Sequence, residues 1–287
     1  MSHPLSRRVF VILQHVLPQH LLSRLAGRLA GSRIALLKNF LIRRFIATFA
    51  VDMHEALDPD PSSYVDFNAF FTRALAPGAR PLDSAPESLV SPADGAISQL
   101  GQIVAGRIVQ AKGHWFSSAE LLGDPRLASR FDEGAFATVY LSPRDYHRVH
   151  MPMAGRLVAM RYIPGRLFSV NQSTADHVPR LFARNERLVC QFETAHGPLV
   201  MVLVGAMIVA GIETIWSGPI TPAGQHALAI DFEIPASERS LEKGAEMGRF
   251  QLGSTVILLL PRGVASWEPT FVEGSVVRMG ARIATLG

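Results

Sequence analysis

Three short stretches carry residue types that can do chemistry. "SPADG" (Ser91–Gly95) sets Asp94 just before an alternating segment. "LSPRDYHRVHMP" (Leu141–Pro152) holds His147 and His150. "FQLGSTVILLL" (Phe250–Leu260) places Gly253, Ser254 and Thr255 at the mouth of an apolar run. Together they supply Ser, His and Asp, the residue types of an activated hydroxyl nucleophile. The chain order Asp, His, Ser carries little weight, because the same geometry arises on unrelated orders. Plainer readings stand beside this one. Asp-Gly is a turn signal and Gly-Ser-Thr is loop punctuation. The histidine pair could be surface residues or metal ligands. Structural zinc takes four protein ligands and catalytic zinc three, whereas His177, His196 and His226 are all isolated. No metal is therefore expected. On an extended strand His147 and His150 point to different faces and need not share one job. There is no G-x-S-x-G elbow, and Ser254 precedes a strand rather than opening a helix, which speaks against a conventional hydrolase.

The elements that must position these residues fall into two textures. From about residue 95 the chain reads as short alternating or apolar segments separated by turn signals, such as "AFATVYLSP", "GRLVAMRYIPG" and "STVILLLP". That pattern predicts a β-rich sandwich or barrel-like core. "SSAELLGDPRLASRF" reads as a short helix inserted in it, and "SYVDFNAFFTRAL" as a helix capped near Ser62 or Ser63. "APGARPLDSAPESLVSPADG" is Pro-rich and reads as a loop or linker. The fold class is thus α+β, with an amphipathic helical region over residues 1–75 and a β-rich domain over residues 76–287.

The N-terminal texture is different. Eight of the 28 Lys/Arg and none of the 24 Asp/Glu lie in residues 1–50, so the rest of the chain carries more acid than base. Apolar residues recur at three- and four-residue intervals in "LLSRLAGRLA" and "IALLKNFLIRRFIATFA", the spacing of amphipathic helices. No span of about 20 apolar residues is free of charge, so a transmembrane helix is not expected. A secretory signal lacks its cleavage site, whereas an Arg-rich, acid-free presequence stays open. Nucleic acid is disfavoured, because Leu, Ile and Phe dilute the basic residues. Helices lying on an anionic bilayer fit best, each Lys/Arg near the surface adding about 1 kcal/mol. The competing reading is a helical cap whose arginines face water. Hydrophobic content of 48% in 287 residues excludes a disordered chain. The single cysteine, Cys190, excludes an intramolecular disulfide framework and points to a reducing compartment. Its setting in "RLVCQFE" reads as a buried structural thiol.

"SPADG", "YHRVHMP", "GRLFSVN" and "LGST", in this order and at these distances, resemble the bacterial type of phosphatidylserine decarboxylase, and the resemblance covers nearly the whole chain. It implies that the chain cuts itself between Gly253 and Ser254 into residues 1–253 and 254–287, which stay together. The hydroxyl of Ser254 would attack the Gly253 carbonyl, with His150 as base and Asp94 holding its imidazole. Elimination and hydrolysis would leave a covalent pyruvoyl group, the implied cofactor, derived from Ser254. That ketone would form a Schiff base with the substrate amine and accept the electrons left by CO₂. The resemblance further implies His147 as substrate-side acid, and Phe168, Ser169 and Asn171 as candidates to line the substrate pocket. The implied substrate is phosphatidylserine and the product phosphatidylethanolamine, on the cytoplasmic side of an inner membrane. A homodimer is possible and nucleic acid is not a partner. A self-processing Ser/His/Asp hydrolase and a non-enzymatic membrane-bound β-barrel adaptor are the alternatives from other classes.

Overall fold

The computed structural model describes residues 11, 13–111, 113–207, 211–220, 227–230, 235–251 and 254–287, with Ser254 described by its backbone. The architecture is α+β, with helices first and a core of antiparallel sheets after them, as the two textures predict. After a helical turn at residues 13–16 come α1 (Gln19–Ala30) and α2 (Ala35–Phe49), followed by the short α3 (Phe67–Phe71). They bury a small core of their own around Ile42, Phe67, Phe70 and Phe71. Phe45 meets the rings of Phe67, Phe70 and Phe71 edge-on at 5.1–6.0 Å, the favoured approach of two aromatic quadrupoles.

Two local expectations need correction here. The cap of α3 is Asp66, whose carboxylate accepts the Ala69 amide at 2.8 Å, and not Ser62 or Ser63. Those serines belong to a turn on Asp60. The carbonyls of Ser62 and Tyr64 are engaged by Lys38 Nζ at 2.7 Å each, so no helix starts there. Lys38 is accordingly buried rather than part of a basic surface.

The β-rich part begins with β1 (Ser88–Val90), β2 (Gly95–Gln102), β3 (Arg107–Ala111) and β4 (His114–Ser117). Two short helices follow, α4 (Ser118–Leu122) and α5 (Pro125–Ser129), where one was expected. Gly123 turns left-handed at φ 62° to end the first, and Asp124 caps the second just before Pro125, the Gly-stop and Pro-start asymmetry. Next come β5 (Ala135–Leu141), β6 (Arg148–His150), β7 (Gly155–Ile163), α6 (Gln172–Ala175), α7 (Leu181–Arg184), β8 (Arg187–Thr194) and β9 (Gly197–Val204). The chain ends with β10 (Gly211–Thr214), β11 (Gly218–Pro219), β12 (Leu228–Ile230), β13 (Ser240–Leu241), β14 (Glu246–Gln251), β15 (Ser254–Leu260), β16 (Ala265–Trp267), β17 (Val276–Val277) and β18 (Arg282–Leu286).

The largest sheet runs β12-β7-β8-β9-β15-β5-β2-β17, with β13 also on β7. β15 lies inside it, pairing β5 from Ser254↔Leu141 to Leu260↔Ala135 and β9 from Thr255↔Val204 to Leu259↔Val200. Val256, Leu258 and Leu260 face one core and Ile257 and Leu259 the other. Both faces of the sheet are covered, which is why "TVILLL" is continuously apolar rather than alternating. The four-stranded sheet β11-β10-β14-β6 and the three-stranded sheet β1-β18-β16 supply the first core. Cys190 lies in β8, fully buried, as its alternating setting predicts.

Candidate active site

Strand register brings the three sequence clusters to one end of the large sheet. Tyr140 on β5 stands opposite both Thr255 of β15 and Ala96 of β2, so Ser254 and Asp94 flank the exit of β5. The chain leaving β5 then carries His147 and β6. β14, which leads toward Ser254, pairs with β6 and donates the Phe250 amide to the His147 carbonyl at 3.0 Å. Gly253 lies outside the described residues. Gly95 permits the close approach of β2 to β5: a Cβ there would collide with the Tyr140 carbonyl, so only glycine fits.

Asp94 is almost sealed from solvent. Its carboxylate accepts Arg80 Nε at 2.9 and 3.0 Å and the Met279 amide at 2.8 Å. Arg80 also donates to Glu55 at 2.6 Å. The planar guanidinium suits a carboxylate in this two-pronged way.

His150 is held by two other partners. Its Nδ1 sits 2.9 Å from the Gly244 carbonyl and its Nε2 3.0 Å from the Tyr146 hydroxyl. A carbonyl only accepts, so Nδ1 carries the hydrogen and Nε2 is the lone-pair nitrogen. Burial pushes the ring's pKa down, opposed by the bond to the Gly244 carbonyl. Among the described residues no hydrogen bond joins Asp94 to His150, so the direct link expected from the sequence is not made in this structure. The nearby charges of Glu246 and, more weakly, Asp94 favour the imidazolium, and Arg148 opposes them.

His147 is more deeply buried. Its Nδ1 donates to the Asp145 carbonyl at 2.8 Å, and its Nε2 is buried without a partner among the described residues. The ring centroid lies 4.0 Å from that of Phe71. Burial lowers its pKa to about 3, so the resting ring is neutral. A standing positive charge that attracts a carboxylate, one role the sequence reading considered for it, does not fit this setting.

Two cavities meet these residues. An apolar cleft of about 450 Å³ lies between the helices and the sheet, lined by Leu29, Leu41, Phe45, Phe71, Pro143 and Met207 among others. Phe71 is its shared wall with His147. A polar cavity of about 210 Å³ is lined by Arg73, Arg80, Asp94, Arg144, Asp145 and Tyr146 among others. Phe168, Ser169 and Asn171 line neither. Phe168 is fully buried against His15 and Arg184, the Ser169 amide donates to Gln14 at 2.7 Å, and Asn171 caps α6. They anchor the N-terminal segment to the sheet.

The sequence profile described as phosphatidylserine decarboxylase matches residues 67–285, and a second, described as PSD, matches residues 9–50. The chain belongs to the phosphatidylserine decarboxylase family. Curated relatives named phosphatidylserine decarboxylase proenzyme agree. The Pseudomonas putida protein is 57% identical over 279 residues, covering 96% of this chain and 97% of its own. The Stutzerimonas stutzeri protein is 59% identical over 275 residues, covering 95% and 93%. This chain is therefore an enzyme, a decarboxylase. In this decarboxylase Arg73, Arg80 and Tyr146 join the residues named from motifs. Tyr146 was visible inside "YHRVHMP" itself; the two arginines carried no local signal.

Proposed function

We propose that this decarboxylase converts phosphatidylserine to phosphatidylethanolamine and CO₂ at an anionic membrane surface, with a pyruvoyl group made from Ser254. The observation that carries the reading is the junction at Phe71, where an apolar cleft sized for acyl chains abuts the buried Nε2 of His147, which has no partner among the described residues.

The residues present fit such a group. Cutting before Ser254 would leave β15 hydrogen-bonded on both edges and β17 and β18 paired to β2 and β1. A severed chain of residues 254–287 therefore stays in place. For the cut, the Ser254 hydroxyl attacks the Gly253 carbonyl carbon and the peptide C–N bond breaks, leaving an ester and a free amine; elimination would then release Gly253 as a carboxylate, and uptake of water with loss of ammonia would leave the ketone. Nε2 of His150 takes the hydroxyl proton once the Tyr146 hydroxyl releases its lone pair, and passes it to the departing Ser254 nitrogen, with the Gly244 carbonyl holding Nδ1–H and the charges of Glu246 and Asp94 favouring the imidazolium.

When present, the pyruvoyl group supplies an electron-accepting ketone that condenses with the substrate's amine. The chain's own residues do the rest. The substrate's ammonium sheds its proton to solvent before it can react. After CO₂ has left, His147 Nε2 is the lone-pair nitrogen placed to relay a proton to the substrate's α-carbon, and its lowered pKa makes it release that proton readily. The apolar wall at Phe71 assists that loss, because a carboxylate is destabilised where CO₂ is not.

The membrane location rests on residues 13–49, which leave ten large apolar side chains exposed, among them Leu36 at 87% and Phe40 at 65%. No described helix is long and apolar enough to cross a membrane. The helices would lie on the bilayer, with the cleft opening toward it.

The test is release of CO₂ from carboxyl-labelled phosphatidylserine in anionic vesicles, before and after borohydride. Wild-type protein should run as two bands on a denaturing gel, and borohydride should abolish turnover. Activity that survives borohydride would defeat the pyruvoyl reading.

A further inference from the structure

We infer that Arg73 is the anchor for the substrate's phosphodiester, an oxyanion subsite between the apolar cleft and the reactive end of the sheet. This rests on the lipid reading above and specifies which group of the lipid is held, and where.

Arg73 has only 4% of its surface exposed, yet makes no ion pair among the described residues. Its Nε is buried with no partner, and its one hydrogen bond is a 3.4 Å contact from Nη2 to the Arg144 carbonyl. The guanidinium otherwise lies over the Phe70 ring at 5.5 Å. A buried, unpaired charge is costly, and such a group is ordinarily matched by an anion. The four carboxylates of the same cavity are committed elsewhere. Asp94 and Glu55 bind Arg80, and Glu55 also binds Arg278. Asp145 accepts from the Ser142 amide and hydroxyl, and Asp52 from the His54 amide. No carboxylate lining the described cavity is left to neutralise it, which leaves a place for a ligand's anion.

Position identifies the group. Arg73 follows Phe71, which lines the apolar cleft, and touches Arg144, which follows the cleft residue Pro143. The guanidinium thus stands where the cleft gives way to the polar cavity that holds Asp94 and Tyr146. In a glycerophospholipid the phosphodiester occupies that place, between acyl chains and the serine. The carboxylate is the other oxyanion of the substrate, and chemistry argues against it. An arginine paired with the departing carboxylate would stabilise the ground state more than the transition state and slow the reaction. A phosphodiester keeps its charge throughout, so binding it costs nothing in rate.

The test uses Arg73→Met and Arg73→Lys with soluble dihexanoyl lipids. Calorimetry with dihexanoyl phosphatidylglycerol, which has a phosphodiester and neither amine nor carboxylate, needs no turnover. Arg73→Met should weaken that binding by about tenfold to a hundredfold, the worth of a charge-assisted hydrogen bond, and Arg73→Lys by less. Turnover of dihexanoyl phosphatidylserine should show the same loss in KM rather than in kcat. O-hexanoyl serine, which has the carboxylate but no phosphate, should be indifferent to both variants. Should Arg73→Met fail to fold, the wild type still decides: phosphatidylglycerol must bind at least about tenfold tighter than neutral dihexanoylglycerol. Equal binding of those two overturns the inference, as does a loss in Arg73→Met confined to O-hexanoyl serine or to kcat. If the wild type binds phosphatidylglycerol through Arg73 but releases no CO₂, the functional reading falls and the anion subsite stands.

Discussion

Residues 13–49 and the strands around β15 are both rich in Leu, Ile and Phe, yet they dispose of those side chains in opposite ways. β15 seals everything from Val256 to Leu260 between two cores, with none more than 1% exposed. The helices bury Ala30 and Ile42 and turn Leu21, Leu25, Leu36 and Phe40 outward. Burying a Leu or Phe is worth roughly 1.5–3 kcal/mol, and the helices forgo that in water. A similar apolar content is thus used in two ways: the sheet is covered by its own chain, whereas the helices leave much of theirs uncovered, and the proposed bilayer contact rests on that face. His147 stands at the seam, behind Phe71, where the apolar cleft meets the sheet.

Cutting the seam should have the largest effect. His147→Asn should leave the chain able to process itself while lowering decarboxylation by about 10²–10⁴-fold, the usual contribution of a proton-transfer group. A gel alongside a CO₂ assay reads both, and equal loss of processing and turnover would merge the two histidine roles. Next comes the contrast between regions. Leu258→Ala should destabilise the fold by about 2–5 kcal/mol in urea titrations. Leu36→Ala should change stability by less than about 0.5 kcal/mol. Paired with Phe40→Ala it should instead weaken binding to anionic vesicles by on the order of tenfold or more, while sparing turnover of a soluble short-chain substrate. A fold that collapses on losing Leu36 would mean the helices are a cap after all.

The last effect is on pH. His147 has its pKa depressed by burial from 6.5 to about 3. Between those values the unfolded chain binds a proton that the folded chain refuses. The stability that this histidine contributes is therefore complete above pH 6.5 and drains away as pH falls toward 3. The loss amounts to about 1.4 kcal/mol per pH unit. Urea midpoints at about pH 7 and about pH 5 should converge in His147→Asn, leaving the smaller slope from His150, which is depressed in the same direction.

Much of this was legible in the chain because it is local. "TVILLL" announced a strand buried on both faces, and the acid-free, apolar-periodic start announced helices that differ from the core. Asp94, His147 and His150 were found by residue type, and the strand pairing gathers all three clusters at one end of the large sheet, the histidines on the chain that leaves β5 and crosses to the four-stranded sheet. Their partners were another matter. Which carboxylate meets which base is decided by long-range packing, so Asp94 went to Arg80 from a Pro-rich stretch that read as a loop. Buried Arg73 had no periodic signature, since a charged residue in "FTRAL" looks like any solvated one. "FSVN" lines neither described cavity; its Ser169 amide meets Gln14 and its Asn171 caps α6, contacts that residue types alone do not announce.

The central claim is that Ser254 becomes the working group. Intact-mass spectrometry of freshly purified, active protein measures this most directly, with Ser254→Ala as the control. Two fragments are predicted, the smaller spanning residues 254–287 and lighter by one ammonia than simple hydrolysis of the same bond would leave; the variant should remain whole and inactive. An active wild-type preparation consisting of a single unbroken chain would contradict the account.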